Sequence, residues 1–329
     1  MSFSIRNYHD EDLGSVFAVI NAAARADGEP DVLSEAELRA RLEIPHDSSL
    51  IDPQQDLSVV EIPGAGVVAY AEGLLRGGRG KWFYRTQCFV QPDFRRRGIG
   101  RALLERQWER VEELAAQLGG RVLMGARVLD TQQDAQALLK AFSMRRTRYF
   151  FTMRRDLAAP LPSLEPPPGL DLRRWDDRRG DRVVWAAAEE AFADHWGYQP
   201  QSWEAFEHRI HSGQIRPASS FIAWDGDEVA GGSLNKFSLP DPVAPPLARP
   251  GWVGTLFVRR PWRRHGLGRA LLLASLAHAR QMGHDVVLLN VDAASLTGAV
   301  HLYESVGFGV AVRRVVYQRV CRIAATHLA

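Results

Sequence analysis

Cysteine, long apolar runs and charge of one sign are all scarce in this sequence, and each shortage excludes a class of protein. The two cysteines, Cys88 and Cys321, stand far apart, so neither a disulfide scaffold nor a structural zinc site is expected. The longest apolar stretches, such as 270–274, fall short of the ~18 residues that span a membrane. The N-terminal residues turn polar too early for a secretory signal. We therefore predict a cytoplasmic protein without a metal or a membrane partner.

The balance of charge limits the range of partners. The chain carries 41 basic and 39 acidic residues, a net charge of +2. Such a balance argues against a general nucleic-acid binder, although the arginine clusters at 95–97 and 259–264 keep a local basic patch open as a hypothesis. Binding of that kind would depend steeply on salt. Near-neutral charge without interleaved aromatic residues disfavours it, and no nucleic-acid partner is predicted.

Length and proline content predict two domains. The chain has 329 residues, about twice the ~150 residues of a typical domain. Five prolines fall within 158–169, a composition that excludes helix and central strand and favours a stiff connector. We therefore predict an N-terminal domain over 1–157, a linker over 158–169 and a C-terminal domain over 170–329.

The two halves repeat each other. Residues 89–104 align with 257–272 at a constant offset of 168, and ten of the sixteen positions are identical. Both halves show the same order of predicted elements: strand, two helices, three strands, helix, strand, helix and strand. The longest helices are predicted at 101–118 and 269–282. This order predicts a mixed α/β fold, with a mostly antiparallel central sheet flanked by helices in each domain.

The most informative unit of the repeat is Arg-x-x-Gly-x-Gly, at 95–100 and at 263–268. It follows a predicted strand and precedes a helix. Glycines allow the backbone to approach a ligand closely, and the start of a helix offers N–H groups that bind anions, phosphates above all. A third glycine of the dinucleotide-binding motif is missing, and so is the Gly-Lys-Ser/Thr of Walker A, so neither a nicotinamide cofactor nor ATP is expected.

Two segments of the C-terminal half resemble a known family. The run 257–272, Phe-Val-Arg-Arg-Pro-Trp-Arg-Arg-His-Gly-Leu-Gly-Arg-Ala-Leu-Leu, resembles the acetyl-CoA-binding motif of the GCN5-related N-acetyltransferases (GNAT). The run 302–308, Leu-Tyr-Glu-Ser-Val-Gly-Phe, resembles the C-terminal signature of that family. The resemblance covers essentially the whole chain, as two tandem domains. It implies an acyl-CoA-dependent N-acyltransferase, with acetyl-CoA as the default donor and a small-molecule or peptide amine as acceptor.

The resemblance also implies a set of cofactor-binding residues. In the family, backbone N–H groups of the loop hold the pyrophosphate of CoA, and the preceding strand pairs with the pantetheine arm as an added strand would. In the C-terminal domain the matching residues are Phe257, Val258, Arg263, Arg264, His265, Gly266, Leu267, Gly268 and Arg269. In the N-terminal domain they are Phe89, Val90, Arg95, Arg96, Arg97, Gly98, Ile99, Gly100 and Arg101.

The resemblance further implies that Tyr303 is a general acid, which protonates the CoA thiolate as it leaves. The N-terminal domain departs from the family here, because Leu139 aligns with Tyr303 and the pair Ser143-Met144 replaces Gly-Phe. That domain is therefore predicted to be catalytically degenerate, and whether it binds CoA stays open. Ser295 and Thr297 lie where family members often carry an asparagine before the Leu-Tyr pair.

The general base is not identified by the sequence. The strand 251–258 contains no acid, although family members often use a glutamate on that strand. The remaining candidates are Glu189, Glu190, Asp194, His195 and Asp292. Aromatic residues near the predicted turn between the first two helices are candidates for an acceptor wall or for a packing cluster: Phe192, His195, Trp196, Tyr198 and Trp203. The proline-rich segment 241–246 is a candidate lid or connector.

Two classes of function therefore remain at this point. The first is an acyltransferase with a catalytic C-terminal domain. The second is a protein that binds CoA or acyl-CoA through the same fold without turnover, as a sensor or structural module. Tyr303 favours the first. The acceptor, the acyl group and the oligomeric state are not determined by the sequence.

Overall fold

The structure, a computed structural model, places six strands and five helices in the N-terminal half of the described chain. It describes residues 2–29, 34–42, 52–78, 81–118, 120–175, 180–193, 195–196, 198, 200–237, 250–295 and 298–322. The strands are β1 (Ser4–Asn7), β2 (Leu57–Ile62), β3 (Gly66–Gly78), β4 (Lys81–Val90), β5 (Arg121–Leu129) and β6 (Arg145–Asp156). The helices are α1 (Leu13–Asp27), α2 (Glu35–Leu42), α3 (Pro53–Asp56), α4 (Ile99–Gln117) and α5 (Gln133–Ala141).

The C-terminal half repeats this order apart from the short α3. Its strands are β7 (Asp171–Arg174), β8 (Phe221–Asp225), β9 (Glu228–Lys236), β10 (Gly251–Val258), β11 (Val286–Asp292) and β12 (Gly309–Arg322). Its helices are α6 (Asp181–Phe192), α7 (Trp203–His211), α8 (Leu267–Gln281) and α9 (Ala299–Ser305). Local chemistry explains where these helices begin. The Ser202 hydroxyl, for example, accepts a hydrogen bond from the N–H of Ala205 at 3.2 Å and caps α7.

The chain forms two compact units whose limits differ from a simple division at the linker. The first unit contains Met1–Tyr149 together with Arg314–Ala329, and the second contains Phe150–Arg313. Strand β6 thus gives its residues 150–156 to the second unit, and β12 gives residues 314–322 to the first. The predicted domains, 1–157 and 170–329, assign these two segments the other way round, because local sequence patterns locate a strand without naming its partner.

In the first unit the strand order is β1-β2-β3-β4-β5, followed by residues 314–322 of β12. Every neighbouring pair is antiparallel except β4 with β5, which run parallel. A parallel pair needs a long crossover, and α4 supplies it. The second unit follows the same plan. Its order is β7-β8-β9-β10-β11, followed by residues 150–156 of β6, with α8 as the crossover between the parallel strands β10 and β11.

Helices cover both faces of each sheet. In the first unit, Val59 of β2 packs with α1 and α2 in one cluster, whereas the next residue, Val60, packs with Ile99 and Leu103 of α4 in another. This alternation is the period of two that a strand imposes. In the second unit, Phe257 of β10 packs with α6 and α7, and β11 turns Val287 and Leu289 towards α8. The predicted mixed α/β fold is confirmed.

Two features are absent from the part of the chain that the structure describes. None of the helices among the described residues is long and apolar enough to cross a membrane. Within the same described residues, no group of three or more His, Cys, Asp or Glu side chains could hold a metal ion.

The division into units makes a prediction about fragments. Residues 1–157 alone lack 314–322, which pair with β5 over Arg121–Leu129, and residues 170–329 alone lack 150–156, which pair with β11. Each isolated fragment should therefore show no cooperative thermal transition by circular dichroism. The control is the full chain cut at a protease site inserted after Ser163, which should keep the melting temperature of the intact protein. Fragments that melt cooperatively at that temperature would contradict the assignment.

Candidate active site

The two Arg-x-x-Gly-x-Gly loops have the same backbone conformation. Each follows a short 3-10 turn, at Pro92–Phe94 and at Arg260–Trp262. The second arginine of each loop is left-handed, with φ of 63° at Arg96 and 70° at Arg264. The first glycine is left-handed as well, with φ of 84° at Gly98 and 81° at Gly266. Left-handed backbone is costly for residues other than glycine, so its recurrence at Arg96 and Arg264 marks a loop that the surroundings hold in one shape.

The first arginine of each motif holds that shape. In both units its Nε donates to the carbonyl oxygen of the strand's last residue: Arg95 to Val90 at 3.2 Å, and Arg263 to Val258 at 2.9 Å. The rest of each guanidinium reaches the first long helix of its unit. Arg95 donates twice to the Asp27 carboxylate, at 2.7 and 2.9 Å, and Arg263 Nη2 donates to the Ala191 carbonyl oxygen at 3.0 Å. These side chains therefore fix the loop on its own unit.

The other predicted cationic residues of the loops lie nearer the surface. Arg96, Arg97 and Arg101 are exposed in the first unit, and Arg264 and His265 are exposed in the second. Arg269 is half-buried, and its Nη1 donates to the Ser305 carbonyl oxygen at 3.1 Å, between the start of α8 and the end of α9. Exposed guanidinium groups beside a helix start are suited to phosphate oxygens.

Each loop ends on a helix whose first N–H groups point out of the helix. Gly98 caps α4 and Gly266 caps α8, and the first N–H bonded back to these caps is four residues on, at Ala102 and Ala270, each at 3.1 Å. The N–H groups of Leu267, Gly268 and Arg269 therefore have no carbonyl partner within the helix. The same holds for the N–H groups of 99–101. A side chain on Gly98 or Gly266 would meet no atom within 4 Å. This open, donor-rich end of the helix dipole fits a pyrophosphate.

The second glycine of each motif serves packing. A Cβ on Gly100 would lie 3.4 Å from Leu138 Cδ2, and a Cβ on Gly268 would lie 3.3 Å from Leu302 Cδ2. The absent side chain lets the last helix of each unit, α5 or α9, lie directly against the start of the loop helix. In the second unit the helix that makes this contact, α9, also carries Tyr303.

The strands that lead into the loops separate from their parallel neighbours. Strand β10 pairs with β11 only over Gly251–Val253, and a register shift follows between Val253 and Thr255 on its β9 side. Among the described residues, 255–258 therefore have no strand on their β11 side. In the first unit, β4 pairs with β5 over Trp82–Thr86 and leaves 87–90 in the same situation. A bare strand edge offers N–H and C=O groups to an extended ligand with amide groups.

The predicted residues on these strands have their side chains packed against other hydrophobic residues. The side chain of Phe257 is 3% exposed and lies in the cluster beneath α6 and α7, and that of Val258 packs against the cluster of α8. Phe89 of the first unit stacks on Tyr70, with ring centroids 6.4 Å apart.

Tyr303 lies in α9 and is 7% exposed. Its ring packs against Phe308, with centroids 6.1 Å apart. Burial disfavours the phenolate, and it raises the pKa of Tyr303 to about 12. The phenol therefore keeps its proton at neutral pH, as a general acid must. Gly307, with φ of 89°, is required beside it, because a Cβ there would lie 2.8 Å from Arg155 Nε.

The first unit repeats this geometry without the phenol. Ser143 has φ of 60° at the position of Gly307, Met144 is as buried as Phe308, and Leu139 is 5% exposed. The fold of the repeat is thus kept, while Leu139, at the position of Tyr303, has no acidic proton to donate.

The candidate bases have different partners in the structure. Glu189 accepts hydrogen bonds from the Tyr198 hydroxyl and, at 2.8 Å, from the N–H of Gln201, so it joins the end of α6 to the segment that precedes α7. Glu190 is paired with Arg259 at 2.9 Å. Asp194 lies outside the described residues, as does the segment 241–246. His195 contacts the ring of Phe192, with centroids 4.4 Å apart.

The predicted aromatic wall divides into two groups. Trp203 packs against Trp185 and Phe206, with centroids 6.1 and 6.0 Å apart, and belongs to the core beneath α6 and α7. Trp196 is 43% exposed and lies 6.2 Å from the ring of Phe150 on β6. Sequence reasoning missed Phe150, because only the register of β6 with β11 brings it to this face of the second unit.

Comparison with known proteins agrees with this geometry. The sequence profile of the Acetyltransferase (GNAT) family matches residues 21–144 and 181–308. A mycothiol acetyltransferase of Geodermatophilus obscurus is 34% identical over 300 residues, which cover 90% of each chain. Another, from Thermomonospora curvata, is 30% identical over 312 residues, 94% of each chain.

Solved structures give the same result. The crystal structure of a GCN5-related N-acetyltransferase from Sphaerobacter thermophilus superposes with a TM-score of 0.75 at 27% identity, and covers 98% of this chain and 96% of that one. A tandem GNAT protein from the clavulanic acid biosynthesis pathway shares the fold, with a TM-score of 0.70 at 19% identity over 97% of this chain. The chain therefore belongs to the acetyltransferase (GNAT) family, and it is an acetyltransferase with two tandem copies of the family's domain.

Proposed function

We propose that the second unit transfers an acetyl group from acetyl-CoA to a primary amine, with Tyr303 as the general acid. Acetyl-CoA supplies a thioester whose carbonyl carbon accepts the amine nitrogen. The C–N bond forms as the C–S bond breaks, the amine gives up a proton, and the sulfur takes one. The observation that carries the proposal is the buried phenol of Tyr303 in α9, the helix whose Leu302 packs against Gly268 at the start of α8.

The donor side rests on the backbone of the loop and of β10. The N–H groups at 264–269 would hold the pyrophosphate, with Arg264 adding positive charge. The bare edge of residues 255–258 would pair with the amide groups of the pantetheine arm. That arm then runs from the start of α8 along β10, towards the point where β10 and β11 separate.

The acceptor is an amine. It would approach on the face of the second sheet that α6 and α7 cover, opposite the face covered by α8. The relatives named above are mycothiol acetyltransferases, and we propose a mycothiol-type acceptor for this chain as well. For proton removal we favour Asp292, at the end of β11, acting directly or through a water molecule. Asp292 lies on β11 beyond the part of that strand that pairs with β10, which ends at Leu289.

The first unit is assigned a binding role without catalysis. Its loop has the conformation of the second loop and exposed arginines of its own at Arg96, Arg97 and Arg101, whereas Leu139 cannot donate a proton. Binding of acyl-CoA without catalysis is therefore proposed for the first unit alone.

The matched glycines provide a test of the two binding sites. Gly266→Asp and Gly98→Asp each place a Cβ in left-handed backbone and a negative charge where phosphate is proposed, and neither has a neighbour to clash with. Each should weaken acetyl-CoA binding at its own site by at least about tenfold. Calorimetry should show two sites in the wild type and one in each variant, with acetyl transfer lost only in Gly266→Asp. Loss of transfer in Gly98→Asp alone would overturn the assignment of the second unit as catalytic.

The acid role is tested by Tyr303→Phe. Removing the hydroxyl should lower kcat about 100-fold or more, the usual contribution of a general acid, while acetyl-CoA still binds with wild-type affinity. Steady-state release of free thiol measures the first, and calorimetry measures the second. The control is Tyr317→Phe, which removes another buried phenol, one that donates to Gln136 in the first unit, and should leave kcat unchanged. A wild-type kcat in Tyr303→Phe would exclude the role.

A further inference from the structure

One polar side chain, that of Asn290, is exposed within an otherwise buried stretch of β11, residues 287–291. Leu289 and Val291 are buried at 1% and 7% exposure, and they pack in the cluster of α8. Asn290 between them is exposed. Because successive side chains of a strand point to opposite faces, Asn290 faces the side of the sheet covered by α6 and α7. It is also the first residue of β11 beyond its pairing with β10, which ends at Leu289.

The amide of Asn290 is held by a buried hydroxyl. Thr152 of β6 is its cross-strand partner and is fully buried. The Thr152 Oγ1 hydroxyl donates to Asn290 Oδ1 at 2.7 Å. Because a buried hydroxyl needs a hydrogen-bond partner, this bond fixes the orientation of the Asn290 amide. The amide Oδ1 is thereby used within the sheet, which leaves the Nδ2 group, a double donor, for another partner.

The next pair on the same face of the sheet, two positions along β11, adds charge and aromatic surface. Asp292 lies opposite Phe150, and its Oδ1 accepts a hydrogen bond from the N–H of Ala294 at 3.0 Å. The Phe150 ring contacts the exposed ring of Trp196. An amide donor, a carboxylate and two aromatic rings therefore lie within two strand positions, about 7 Å along β11.

This group of residues stands where the acceptor must approach. The proposed path of the thioester follows β10 beyond Val253, where its partner strand has separated. Asn290 begins the opposite wall of that separation. A side chain at this position meets the acceptor beside its reacting nitrogen.

We propose that Asn290 is an acceptor-binding residue that determines specificity, and that Thr152 is its positioning residue. Resting on the proposed function, the assignment requires an amine with a hydrogen-bond-accepting oxygen close to the nitrogen. Asn290 Nδ2 donates to that oxygen, Asp292 attracts the ammonium form, and the rings of Phe150 and Trp196 cover the apolar side of the acceptor.

The test uses two amines that differ in one group: L-alaninamide, which has a carbonyl oxygen beside the amine-bearing carbon, and isopropylamine, which lacks it. The wild-type protein should prefer alaninamide in kcat/KM. Asn290→Ala should lower kcat/KM for alaninamide about tenfold, mainly through KM, and leave isopropylamine within about twofold, because a single hydrogen bond to the oxygen is lost. The KM for acetyl-CoA should not change.

The positioning role of Thr152 has its own arms. Thr152→Val should reduce the preference for alaninamide in the same direction, and Thr152→Ser should restore it. The control is Thr147→Val, which removes a hydroxyl from the same strand that donates to the Val316 carbonyl oxygen in the first unit; it should leave the preference unchanged. A purely structural role of Thr152 would instead lower the melting temperature and slow both amines equally.

The outcomes separate this inference from the proposed function. If acetyl-CoA binds but the wild type shows no preference, or if Asn290→Ala keeps it, the inference is wrong and the acetyltransferase assignment of the second unit is unaffected. If acetyl-CoA binds and neither amine is acetylated, the acceptor class inferred here is wrong. If acetyl-CoA does not bind to the second unit, the proposed function itself fails.

Discussion

The active site depends on one constraint of the backbone, the left-handed turn at the end of β10. Arg264 and Gly266 must both adopt positive φ so that α8 begins with its free N–H groups turned towards the ligand. Arg263 maintains that turn by bonding the strand's last carbonyl group and the end of α6. The bare edge of β10 leads into this turn, and Gly268 lets Leu302 of α9, the helix that carries Tyr303, pack against the start of α8. The proposed binding loop and the helix that carries the proposed acid thus meet at the start of α8.

The two repeated units share the loop geometry but differ in the side chain at the position of Tyr303. The first unit retains the turn, the anchoring arginine and the close contact of its second glycine, and its Asp27 even binds Arg95 with two hydrogen bonds. Its last helix has the same place in the unit but presents Leu139. Because the proposed binding site consists of backbone groups and the proposed acid is one side chain, a single substitution can remove the acid and leave the loop geometry. The asymmetry between the units is therefore one of side chains on a common fold.

Much of this arrangement could be predicted from the sequence, because its determinants are local. The repeat at an offset of 168, the glycines and Tyr303 all lie within short motifs. Capping is equally local: the Ser34 hydroxyl accepts a hydrogen bond from the N–H of Glu37, with N and O 3.3 Å apart, at the start of α2. What the sequence did not reveal depends on partners far along the chain. The exchange of strand segments between units, the internal role of Arg95 and the pairing of Asn290 with Thr152 follow from sheet register. No local pattern encodes that register.

The most direct test of the central claim is a crystal structure of the protein with acetyl-CoA, in which the distance from the thioester sulfur to Tyr303 Oη is measured. The account predicts pyrophosphate on the N–H groups at the start of α8, the pantetheine arm along residues 255–258, and the sulfur within about 3.5 Å of Tyr303 Oη, a hydrogen-bonding distance for sulfur. A bound molecule in the second unit whose sulfur lies far from Tyr303, or acetyl-CoA bound in the first unit alone, would contradict it.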